Sequence, residues 1–131
     1  MIASSGFLRR TLALDALACA AAGGLLASGG GALSRPLGLS AGLMQPMGLF
    51  LFGYSAVLAW MAGRESLPGA AVWAVIAANI VWTAESLLVL ASGHLHPTSL
   101  GSAFIVAQAV AVAVFAELEF LGLRRSPRIA T

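Results

Sequence analysis

Four long apolar segments, at about residues 11–33, 43–61, 69–91 and 99–123, fill most of this 131-residue chain. A bilayer span needs about 20 residues, and inside hydrocarbon the backbone has to satisfy its own hydrogen bonds, which makes each segment a helix. The connections are short, so sequential helices run antiparallel. The expected fold is all-α, a four-transmembrane-helix up-down-up-down bundle in one domain over residues 1–131. Composition excludes a soluble alternative. Charged residues make up 9% and hydrophobic residues 60%, whereas a soluble domain carries about a quarter charged residues on its wetted surface.

The joints are marked by residue type. Ser34-Arg35-Pro36 is expected to break the first helix and open a loop to about Ala41, because proline removes a donor and restricts the residue before it. Pro46 falls near the start of the second span, where a missing N–H costs least. Gly63-Arg64-Glu65-Ser66-Leu67-Pro68 reads as a tight charged turn, and Ser92 to Thr98 as a loop whose Pro97-Thr98 starts the fourth helix. A secretory signal peptide is the competing reading of the first segment. Asp15 inside the apolar run, and the length of that run, favour a retained span.

Every basic side chain is arginine. With both termini on one side, that side holds Arg9, Arg10, Arg64, Arg124, Arg125 and Arg128, and the other holds Arg35. Short loops follow the positive-inside bias, so both termini are expected in the cytoplasm, with the protein multi-pass in the cell's inner (plasma) membrane. A pI near 9.5 then reflects arginines at segment ends that suit anionic lipid headgroups, not nucleic acid. Cys19, the one cysteine, forms no internal disulfide or CxxC site.

Polar residues inside the spans must face protein or water. In Asn79-Ile-Val-Trp82-Thr-Ala-Glu85-Ser86 they recur at helical spacing, within about a third of the circumference. Measured from the expected cytoplasmic ends at ~1.5 Å per residue, Glu85 and Gln108 lie roughly 22 Å up and Asn79 about 14 Å up. Asp15, Glu117 and Glu119 lie roughly 5–9 Å up. Two layers are therefore expected. The outer one, Asn79, Trp82, Glu85 and Gln108, reads either as a small ligand-binding or proton-carrying cavity or as an interhelical hydrogen-bonded clasp. The inner acidic layer, Asp15, Glu117 and Glu119, is expected to pair with Arg10, Arg124 and Arg125 at the bundle end. Glu117 and Glu119 point opposite ways on a helical wheel, so only one of them can share the face of Gln108.

Small residues at four-residue spacing, Ala16, Ala20, Gly24 and Ser28 in one row and Cys19 with Gly23 in another, let helices approach closely. Met47, Phe50, Phe52 and Tyr54 read as lipid-facing or core residues. Gly29-Gly30-Gly31 has no phosphate-loop context. His94 and His96, without a third ligand nearby, are expected in a solvated loop. No nucleophile, cofactor or metal motif is visible, which points away from catalysis and implies no cofactor.

The stretches Arg9-Arg10-x-Leu-x-Leu-Asp15, Val72-Trp73-Ala74-Val75-Ile76-x-x-Asn79-x-x-Trp82, Ala107-Gln108-Ala109 and Ala116-Glu117-Leu118-Glu119-x-Leu-Gly122-Leu-Arg-Arg carry a resemblance. The chain resembles, over nearly its whole length, a family of small bacterial four-span membrane proteins without an assigned activity. The resemblance supports the topology and adds no function. Small multidrug-resistance transporters are similar in size, span count and an acid in the first span, but their motifs are missing here and the arginine asymmetry differs. Two functions stay open, the first favoured because the polar residues are sparse and each has an ordinary packing explanation. One is a non-catalytic structural or accessory protein that packs with itself or with a larger membrane complex. The other is a small proton-linked transporter or ligand-binding protein that uses Glu85, Asn79 and Gln108.

Overall fold

The structure, a computed structural model, describes residues 1–129; the end of the basic tail, residues 130–131, lies outside it. Four helices are long and apolar enough to cross a membrane: α1 Gly6–Leu37, α2 Ala41–Ala62, α3 Gly69–Ser92 and α4 Ser99–Arg124. They form an all-α bundle, accompanied by a two-residue antiparallel ribbon of β1, Ile2–Ala3, and β2, Ser66–Leu67. Many large apolar side chains face outward, among them Leu17, Leu49 and Leu88, each 67% exposed. Apolar surface on that scale needs a hydrocarbon surround, and the chain is a small polytopic membrane protein.

The first residues and the described part of the tail, to Ile129, lie at one end of the bundle. The tail runs beside the first residues, with Ala3 N–H donating to Pro127 O at 2.9 Å and Ile129 N–H to Met1 O at 3.1 Å. Ser5 caps α1, its hydroxyl oxygen accepting from Leu8 N–H. Its own N–H donates to Ser126 Oγ at 3.0 Å, and Ser126 in turn donates to Gly122 O at 2.8 Å. The start of α1 is thereby tied to the end of α4. This end carries six of the seven arginines, since only Arg35 stands at the far end of α1.

Two boundaries differ from those expected. The first helix starts at Gly6, five residues before Thr11, because Ser5 supplies the cap. It also continues through Ser34-Arg35-Pro36 instead of breaking there. A proline in the last turn forfeits one hydrogen bond, and the end is closed elsewhere. Gly38 adopts φ 68°, a left-handed conformation that glycine enters without steric cost. Ser34 O accepts from both Gly38 N–H and Leu39 N–H, at 2.8 and 3.2 Å. Thr98 caps α4 as the Pro97-Thr98 reading expects.

Small residues set how α1 meets α2. A Cβ added at Gly23 would lie 2.7 Å from Gly48 O and from Phe52 N, and one at Gly48 would strike the Ala27 backbone. The seam therefore runs through Gly23 and Ala27. Gly24, of the other row, has open space around it. Dispersion between close backbones, without help from water, holds such seams in lipid. Gly48→Ala is expected to destabilise the fold by about 1–3 kcal/mol, while Gly24→Ala stays within about 0.5 kcal/mol. Thermal unfolding of both variants in detergent micelles checks the contrast.

Candidate functional site

The apolar cores of the bundle are interrupted at one level by polar side chains from all four helices. Asp15 and Cys19 come from α1, Tyr54 from α2, Asn79 from α3 and Glu119 from α4. Asp15, Asn79 and Glu119 are at most 3% exposed. Asn79 is the hinge of the set. Its Nδ2 donates to Asp15 Oδ2 at 3.1 Å and to Glu119 Oε1 at 2.7 Å. Its Oδ1 accepts from the Tyr54 hydroxyl at 3.0 Å. The Cys19 thiol donates to the other oxygen of Asp15 at 3.4 Å. The amide thus turns its two N–H donors to the carboxyl oxygens and its carbonyl oxygen to the phenol.

Side-chain direction explains how three depths converge. Helix side chains lean toward the N-terminus of their helix. On α1 and α3, which start at the terminal end of the bundle, Asp15 and Asn79 lean back toward that end. On α4, which runs the other way, the longer Glu119 leans up toward the middle of the bundle. The early start of α1 also places Asp15 deeper than expected, roughly 13 Å from Gly6.

This arrangement corrects the two-layer expectation. Asn79 leaves the outer layer and joins Asp15 and Glu119, while Glu117 is exposed. The ion pairs expected for the inner layer do not form at the clasp. Among the described residues, no arginine reaches Asp15 or Glu119. The guanidinium groups of Arg124 and Arg125 instead lie 5.8 Å from the Phe120 ring centre and 4.6 Å from that of Phe7. Tyr54 and Cys19 are members that the sequence reading missed. Cys19 stands one helical turn after Asp15, a spacing that could have signalled it; Tyr54 carried no such signal.

The chemistry of the clasp is unbalanced. An amide, a phenol and a thiol are neutral donors and cannot neutralise two carboxylates. Glu119 Oε2 is buried without a hydrogen-bond partner. Uncompensated buried charge costs several kcal/mol per ion, so a proton or a bound cation has to supply the balance.

The outer residues divide. Trp82 Nε1–H donates to Gln108 Oε1 at 2.8 Å, which joins α3 to α4. Gln108 completes this with a bond to its own helix, Nε2 to Ile105 O at 2.9 Å. Glu85 is exposed and stands at a crevice between α2 and α3. One cavity there, about 290 Å³, is walled by apolar residues such as Leu26, Met44 and Phe104 together with Trp82, Glu85 and Gln108. A second, about 410 Å³, shares Leu51, Trp82 and Glu85 with the first and reaches Cys19, Tyr54 and Asn79. The crevice thus leads from Glu85 to three of the five clasp residues. Phe50 lines its wall, its ring centre 6.0 Å from that of Trp82 and 6.1 Å from that of Tyr54.

His94 and His96 are exposed in the α3–α4 connection, and His94 Nδ1 lies 3.1 Å from Ser92 Oγ. Among the described residues, no three histidine, cysteine or acidic side chains converge as a metal site. No protein-family model, curated protein or solved structure matches the chain.

Asn79→Ala removes the shared donor from both carboxyls and is expected to cost about 2–4 kcal/mol. Glu85→Gln, at an exposed position, is expected to stay within about 0.5 kcal/mol. Equilibrium unfolding in a denaturing detergent series compares the two.

Proposed function

We propose that the protein binds an amphipathic small molecule inside the bundle, taken up from the bilayer between α2 and α3, and that this binding is linked to a proton on the Asp15–Asn79–Glu119 clasp. The reading is preferred to a purely structural or accessory role. One observation carries it: among the described residues, two buried carboxyls with no cationic side chain against them are hydrogen-bonded to Asn79, which itself lines a crevice open to the side of the bundle. A clasp that only fixed helix register would be served by neutral amides, because buried carboxyls are expensive in a membrane and mark ion or substrate paths.

The crevice also suggests what enters. Its walls are apolar and its one acidic side chain is Glu85, which suits an apolar body bearing a positive group. Glu85 meets that group first, and the clasp carboxyls exchange a proton for it. The arginine distribution supports cytoplasmic termini. On that orientation the crevice lies toward the outer leaflet and the clasp on its cytoplasmic side.

The sign of the pH dependence follows. A carboxyl that holds a proton offers no charge to a cation, so binding weakens as pH falls and strengthens as pH rises. In nanodiscs, a dansyl-labelled alkylamine titrated over a pH series is expected to show that trend with the wild type. Glu119→Gln, close to isosteric, is expected to remain folded and to lose the pH dependence together with at least tenfold of affinity. If Glu119→Gln alters only the melting temperature and the wild-type binding is flat with pH, the structural or accessory role is the better account.

A further inference from the structure

The crevice and clasp leave a separate concavity at the terminal end of the bundle, about 700 Å³, between the start of α3, the end of α4 and the tail. Its floor is aromatic. Trp73 is 52% exposed, and its ring centre lies 5.6 Å from that of Phe120 in a tilted pair. Each stands four residues inside its helix end, so this floor extends roughly 6 Å toward the acyl region. Its rim is basic. Arg124 lies over the Phe120 ring, and Arg128 sits on a tail whose backbone bridges to Ile2. That pairing, with the Ile129 to Met1 hydrogen bond, fixes the rim relative to the floor.

We propose that this groove is a binding site for one anionic phospholipid. Its phosphate is held by Arg124 and Arg128, and its upper acyl chain lies on Trp73 and Phe120. The charge of the rim selects an anionic over a zwitterionic headgroup, and guanidinium groups match phosphate oxygens through paired N–H donors. The aromatic floor directly beneath the cations selects a lipid over a free anion, since a soluble phosphate gains nothing from it. Aromatic side chains at this depth commonly mark the headgroup level.

The test uses the full-length protein in phosphatidylcholine vesicles containing a minor fraction of dibrominated lipid, with tryptophan quenching as the readout. Dibrominated phosphatidylglycerol is expected to quench more than dibrominated phosphatidylcholine at equal fraction, and Trp73→Phe to remove that excess. The double substitution Arg124→Gln, Arg128→Gln is expected to weaken the selective quenching on the order of tenfold. Arg10→Gln, an exposed arginine at the same end, is expected to leave it unchanged. Excess inorganic phosphate should not displace the lipid. Equal quenching by the two lipids overturns the site, as does an Arg10→Gln loss as large as that of the double variant. Displacement by phosphate alone would leave a free-anion site instead and overturn the lipid assignment.

Discussion

The side-chain amide of Asn79 is the interaction on which the rest of the molecule depends. Among the described residues it is the one hydrogen-bonding group that joins its own helix to α1, α2 and α4 at once, through Asp15, Tyr54 and Glu119. Lipid tails are as apolar as leucine, so apolar burial does little to choose one helix arrangement over another. A polar contact with only one satisfactory partner geometry does choose. The glycine seam between α1 and α2 sets how closely two helices approach, and the amide sets the rotation and height at which all four meet.

The same contact that specifies the bundle leaves it chemically incomplete. Two carboxyls share the neutral amide of Asn79, the thiol of Cys19 adds only a neutral donor to Asp15, and one oxygen of Glu119 has no partner. The bundle is loosest between α2 and α3, where the crevice opens and where Phe50, Trp82 and Tyr54 replace close backbone contact with ring stacking. Tight packing on one side and an open crevice on the other bring Asn79, the residue that holds both carboxyls, to the crevice wall. The terminal end is built differently. There Ser5, Ser126 and the paired chain ends lock α1 to α4, and Arg64, Arg124 and Arg125 stand over aromatic rings rather than beside the buried acids.

Much of this architecture was legible in the residues. Span length and hydropathy located the four helices, since a lipid-crossing helix leaves a signal twenty residues long. The shared end of the termini followed from short loops. Pro36 misled, because its effect depends on whether an alternative end such as Gly38 lies within a turn. The polar residues were visible as anomalies, and the Trp82–Gln108 bond falls between two positions already grouped on depth. Their partnership in the clasp was not visible, for two physical reasons. Depth counted along a helix ignores the lean of the side chain, which carries Glu119 up and Asp15 and Asn79 down. Periodicity names a polar face without naming the helix that it meets, so Tyr54 passed as an ordinary aromatic.

The clasp can be observed directly in a bilayer. The chain has one asparagine and one aspartate, so solid-state NMR on protein with nitrogen-labelled asparagine and carboxyl-labelled aspartate and glutamate assigns the contact without ambiguity. The account predicts correlations from the Asn79 side-chain nitrogen to the Asp15 carboxyl carbon and to one glutamate carboxyl carbon, the latter vanishing in Glu119→Gln. An Asn79 nitrogen that correlates with neither carboxyl, or with a glutamate signal that survives in Glu119→Gln, would contradict it.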